Sequence, residues 1–162
     1  MNDIDDEQSG IGKALGRIPS GIYVLTATWE GRVETMLASW LQQAGFKPPA
    51  ISVALGRDRA IGRMIEESKF FGITILSAED KALMKRFARP PAGDDPLQGC
   101  ALVDRFGKAP ILADGLAWLE CELMGMHDFG ADHQLAIGRV VAGEVLRSGQ
   151  AYTHQRKSGF QY

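Results

Sequence analysis

A chain of 162 residues is long enough to bury a core and too short for two domains of ordinary size, and its 45% hydrophobic and 23% charged residues exclude a disordered polymer. A formal net charge of -2, with no Lys/Arg run longer than two, supplies no general field for nucleic acid, and no apolar run approaches the roughly 20 residues of a membrane span. The two cysteines, Cys100 and Cys121, form no CxxC pair, and the opening MNDIDDEQSG is acidic where a secretory signal would be basic and then apolar, so a reduced, cytoplasmic protein is expected.

Residues 1–9 are polar and acidic and read as a loose tail, with one fold expected over 10–162, opening on a short helix from Gly10 to Gly16. From Ser20 the run GIYVLTATW is nearly all β-branched, aromatic or small, which predicts a strand buried on both faces. Glu30-Gly31 offers a turn into a second strand, RVETMLASW. QQAGFKPP is expected to be a loop, its paired prolines forbidding helix, before a third strand, AISVAL. Ile61, Met64 and Ile65 then recur at helical spacing, with Asp58 placed as N-cap.

KFFGITIL reads as a fourth strand. Ser77 followed by Asp80 resembles a capping box for a helix carrying Leu83, Met84 and Phe87, which Pro90 and Pro91 stop. Residues 89–110, rich in Pro, Gly and Asp, predict a long irregular excursion. LAWLECELMGMHDF and HQLAIGRVVAGEVL, joined by GAD, predict a closing hairpin, and HQRKSGFQY a polar tail. Five to seven strands, two or three short helices and no βαβ alternation predict a mainly β, antiparallel barrel with peripheral helices.

Three segments carry candidate chemistry. In MLASWLQQAGFKPP a strand ends in small and hydroxyl residues, and Ala38, Ser39 and Trp40 suit the apolar walls and backbone donors that a flat ring system needs, although an ordinary strand end has the same composition. In LGRDRAIGR, Arg57 and Arg59 sit at a helix N-terminus, where free N–H groups, the helix dipole and guanidinium forks would hold a phosphate; a solvated basic pair reads the same way. HDFGADH, with His127 and His133, has too few converging ligands for a metal centre, so no metal is expected. His133 suits a place beside a ring system better, against the plain alternative of a histidine in a surface turn. Lys85 and Arg86 are adjacent on one helix, so one of them at most faces a site.

Taken in order, PSGIYVLTA, MLASWLQQAGFKPPAISVAL, KFFGITILS and GADHQLAIGRV resemble the motifs of the flavin reductase-like, FMN-binding split-barrel family, from about Pro19 onward. LASW-x-x-QA, D-R-A-I, LMK-x-F and the closing RKSG-x-x-Y resemble in particular the C-terminal flavin reductase domain of the diflavin flavoproteins. The resemblance implies a Greek-key split barrel that binds FMN as a homodimer, with NAD(P)H as electron donor. It places Leu37, Ala38, Ser39 and Trp40 against the ring, Gln42 near its polar edge, Arg57, Arg59 and Ala60 at the phosphate, Lys85 as a further cation and His133 as the catalytic residue near the ring.

The chain departs from the family pattern at Ala38-Ser39-Trp40, where many members have a run of Ser and Thr before the loop, at Thr74, where Asn is usual, and at Gly-Ala-Asp-His, where Gly-Asp-His is usual. The reading is therefore an NAD(P)H-dependent flavin reductase, with an FMN-binding electron carrier of the flavoredoxin kind, served by a partner protein, as its alternative. A barrel that has lost its cofactor and acts as an interaction module is a third reading, which the arginine pair and the LASW segment oppose.

Overall fold

The computed structural model describes residues 10–89, 93, 95–105 and 107–162, so the expected tail and the two prolines expected to stop a helix lie outside the described residues. Helix α1 (Gly10–Leu15) precedes strands β1 (Tyr23–Trp29), β2 (Arg32–Ala38), β3 (Leu41–Phe46) and β4 (Pro49–Gly56). Helix α2 (Ala60–Ser68), strand β5 (Phe70–Ile75), helix α3 (Lys81–Ala88), and strands β6 (Ala117–Asp128) and β7 (His133–Val145) complete the order. All pairings are antiparallel, in the sheet order β2-β1-β5-β6-β7-β4-β3. Among the described residues no helix is long and apolar enough to cross a membrane.

The β1–β2 hairpin turns on Glu30 and Gly31, both at positive φ, 50° and 77°, which is the two-residue geometry that follows the twist of its strands. Alternation along β1 then sends Leu25 and Ala27 to one side and Val24 and Thr26 to the other, and all four are buried. On the inner side Leu25 meets Val53, Leu55, Phe71 and Ile73, and α2 closes this core with Ile61, Met64 and Ile65. On the outer side Val24 packs with Phe87 of α3, with Leu97 of the excursion and with Leu112 just after it. The strand is therefore covered on both faces, as its unbroken apolar run implies.

The excursion is irregular, its described residues making only the isolated bridge Leu102–Leu112, but it is well anchored. The buried carboxylate of Glu120 accepts the backbone N–H groups of Lys108 (2.6 Å) and Ala109 (2.9 Å) and pairs with Arg105, whose Nη2 lies 2.5 Å away. The Arg105 guanidinium in turn lies 4.4 Å from the centre of the Trp118 ring. Arg86 donates to the carbonyls of Pro96 (3.1 Å) and Gln98 (2.6 Å), which turns it away from solvent and toward the excursion. Gly72 allows the close approach: a Cβ there would stand 2.6 Å from Ile111 Cδ1 and 2.9 Å from the Pro110 carbonyl.

Three local expectations are corrected. QQAGF is not a loop but most of β3, an edge strand whose Gln42, Gln43 and Ala44 are exposed; it owes its conformation to pairing with β4, not to any apolar alternation. Asp58 does not cap α2: the N-cap is Arg59, still extended at φ −77° and ψ 125°, and it makes no side-chain cap bond. At α3 only half of the expected capping box forms. The Asp80 carboxylate accepts the Ser77 N–H (2.7 Å) while also receiving Arg147 (2.5 Å), and Asp80 itself stands at the N-cap. Cys121 lies in the barrel core, where burial pushes its thiol up to about 12, and no chemistry falls to it.

Candidate functional site

Where β2 ends the chain leaves the ladder and crosses to β3 through Ser39 and Trp40. The Trp40 carbonyl accepts the Ala54 N–H at 2.9 Å, which fixes this crossing against β4. Beside it opens a cavity of about 550 Å³. Leu37 and Ala38 form its apolar wall with Ile22, Met84 and Phe87, while Ser39 and Trp40 form the wall at the strand end. Arg59 from the start of α2 and Lys85 from α3 bring two cations to it, and neither has an ion-pair partner among the described residues. Nor do the N–H groups of Ser39 and Trp40 donate to any backbone carbonyl among the described residues.

Of the residues singled out in the sequence, Leu37, Ala38, Ser39, Trp40, Arg59 and Lys85 thus share one cavity. Gln42 stands on exposed β3 opposite Ser52, and Ala60 is the exposed first residue of α2; neither lines it. Arg57 is turned elsewhere. Its guanidinium pairs with Asp128 through both terminal nitrogens, and its Nε donates to the Ala131 carbonyl at 2.6 Å, so it clamps the tip of the β6–β7 hairpin.

This clamp has a titration signature. Its hydrogen bond from Arg57, and a second from the Gly130 N–H, hold the Asp128 carboxyl at about 2 against an ordinary 3.8. A depressed carboxylate supports the fold above its ordinary value, and that support is lost as pH falls through about 2. NMR titration is expected to find the Asp128 midpoint near 2 and to find it higher in Arg57→Ala, where only the Gly130 N–H still lowers it.

His133, first residue of β7 and paired in register with Gly56, lies on the far side of Trp40 from the cavity. Its ring centre is 4.8 Å from that of Trp40, its Nδ1 is 2.8 Å from Asp132 Oδ1, and its Nε2 is hydrogen-bonded to the Tyr162 hydroxyl. Burial raises the Tyr162 phenol above its ordinary 10.0, so at neutral pH it keeps its proton. A second cavity of about 270 Å³ opens here, lined by His133, Asp132, Arg156 and Phe160.

Sequence reasoning missed Tyr152, His154 and Tyr162, which also line the larger cavity. His154 and Tyr162 lie in the stretch read as a polar tail, and Tyr152 just before it. A bridge between Ser20 and His154, with N–H to O distances of 2.9 and 2.7 Å, lays that stretch beside the start of β1. Only the RKSG-x-x-Y resemblance marked Tyr162.

Comparison with known proteins agrees with this architecture. The model of the flavin reductase like domain matches residues 15–161. Diflavin flavoprotein A 1 of Synechocystis sp. is 39% identical over 158 residues, which span 95% of this chain and 27% of that protein. The chain therefore corresponds to about a quarter of the length of that relative.

Among solved structures, the styrene monooxygenase flavin reductase of Pseudomonas putida S12 superposes with a TM-score of 0.77 at 27% identity, covering 91% of this chain and 93% of that one. The NADH:FAD oxidoreductase SgcE6 of Streptomyces globisporus C-1027 has the same fold, with a TM-score of 0.79 at 23% identity over 92% of this chain and 87% of that one. With seven antiparallel strands and three short helices among its described residues, and this match over nearly its whole length, the chain belongs to the flavin reductase like domain family.

Proposed function

We propose that this chain is an FMN-binding oxidoreductase that passes electrons from NAD(P)H to flavin and works as a cytoplasmic homodimer. Membership of the family supports a flavin-related oxidoreductase, and the larger cavity supports the choice of FMN. One observation carries it: an apolar wall converges on one cavity with backbone donors and two cations that, among the described residues, have no backbone acceptor and no ion-pair partner. Each part of a flavin mononucleotide is served. Leu37, Ala38 and Met84 would take the faces of the ring, the N–H groups of Ser39 and Trp40 its polar edge, and Arg59 and Lys85 the phosphate.

When bound, the flavin supplies the two-electron chemistry; the residues of this chain bind, orient and shield it. Arg59 and Lys85 fix one end by charge, while the apolar wall excludes water from the other. His133, held on both ring nitrogens, buttresses Trp40 from behind, so its part in this reading is to position that wall. Exposed apolar side chains, Phe46 on β3 and Met124, Val141 and Val145 on the β6–β7 hairpin, support a second copy as partner.

Anaerobic addition of NADH or NADPH to the FMN-loaded protein tests the activity. Bleaching of the visible flavin band is expected. A band that persists with both donors would overturn the reductase and leave an electron carrier reduced by another protein.

A further inference from the structure

Two side chains, Trp40 and Tyr162, line both cavities and so form the wall between them. The Trp40 indole is held from several sides at once. Its ring centre lies 4.8 Å from that of His133 and 5.5 Å from that of Tyr162, and the Arg156 guanidinium carbon lies 5.1 Å above it. Those neighbours are themselves fixed: His133 by Asp132 and the Tyr162 hydroxyl, Arg156 by donation to the Gln161 carbonyl at 2.9 Å. With its own carbonyl bound to the Ala54 N–H, Trp40 cannot swing aside without breaking several contacts.

An indole between two flat molecules keeps their faces roughly 7 Å apart, twice the van der Waals contact of about 3.5 Å. Transfer of a hydride needs the reacting atoms about 3–3.5 Å apart. A molecule in the smaller cavity is therefore out of reach of a ring in the larger one for as long as the indole stands between them.

We propose that Trp40 is a specificity-determining partition: it bars a second flat molecule from stacking, from the side of the smaller cavity, on a flavin bound in the larger one. This rests on the FMN reading of the larger cavity. It confines flavin and nicotinamide exchange to the mouth of the larger cavity and keeps free flavin from reaching the bound ring through the Asp132, His133 and Phe160 side. Removing the indole joins the two cavities.

Lumiflavin, an isoalloxazine without the phosphate chain, is the probe, and equilibrium dialysis against FMN-saturated protein is the measurement. Wild type is expected to hold FMN alone. Trp40→Ala is expected to keep FMN within about tenfold of wild-type affinity, a loss of one apolar contact, and to take up one lumiflavin per chain beside it. Trp40→Leu gives the same reading if the alanine variant does not fold.

Lumiflavin uptake by FMN-saturated wild type, or none by the folded variants, overturns the partition while leaving the FMN reading intact. Loss of FMN from a folded variant also overturns it, since the indole would then hold the flavin in place and not merely divide the two cavities. Failure of wild type to bind FMN overturns the FMN reading and the partition with it.

Discussion

Arg59→Ala and Lys85→Ala are each expected to weaken FMN binding about tenfold, and the double variant about a hundredfold, since a hydrogen bond to a charged group contributes roughly 1.5–3 kcal/mol. Arg57→Ala is expected to leave the affinity within about threefold of wild type, an effect below 1 kcal/mol. The contrast follows from geometry. Arg57 and Arg59 are two residues apart at one helix start, but Arg57 is committed to Asp128 and the Ala131 carbonyl, while Arg59 lines the cavity. Titrations of the three single variants and the double variant with FMN, read by flavin fluorescence, check this. Riboflavin, which lacks the phosphate, is expected to bind wild type and the double variant alike. A loss confined to Arg57→Ala would move the phosphate to the hairpin tip.

Glu120→Ala is expected to be the most destabilising single change away from the cavity, at about 3–5 kcal/mol, because it leaves a buried guanidinium without its counter-charge. The carboxylate is 5% exposed and serves three groups at once: the Arg105 side chain and the N–H groups of Lys108 and Ala109. For a chain of this length a loss of that size lowers Tm by roughly 6–20 °C. Glu120→Gln keeps an acceptor in place and is expected to cost less, and Arg105→Ala in the Glu120→Ala background is expected to recover part of the loss.

The effect should reach the site. The excursion that Glu120 anchors brings Leu97, and Leu112 just after it, against Phe87, and Phe87 lines the larger cavity. Thermal unfolding with and without FMN measures both; a Tm within about 2 °C of wild type would show that the anchor is dispensable.

Strand β1 was legible in the sequence because both its faces are buried, so its residues form an unbroken apolar run; the β6–β7 hairpin was legible because two such runs flank a turn. Strand β3 was not, since an edge strand with Gln42, Gln43 and Ala44 in solvent is made by its partner and leaves no period of its own. At the site, the end of β2 announced itself by the change from apolar to small and hydroxyl residues. The separate fates of Arg57 and Arg59 did not, because they depend on the β6–β7 tip, more than 70 residues away in the chain. Tyr152, His154 and Tyr162 stayed hidden for a similar reason: the stretch that carries them is laid beside the cavity by backbone bridges from Ala151 to Ser77 and from His154 to Ser20, which no local pattern encodes.

The most direct test of the flavin site is a titration of the purified protein with FMN, followed by the visible spectrum of the flavin and the fluorescence of the tryptophans. Saturable binding of one FMN per chain, with quenching that Trp40→Phe diminishes, is the expected result. A flavin spectrum unchanged by excess protein, with no quenching, would contradict the assignment of the larger cavity and leave the split-barrel fold without its proposed ligand.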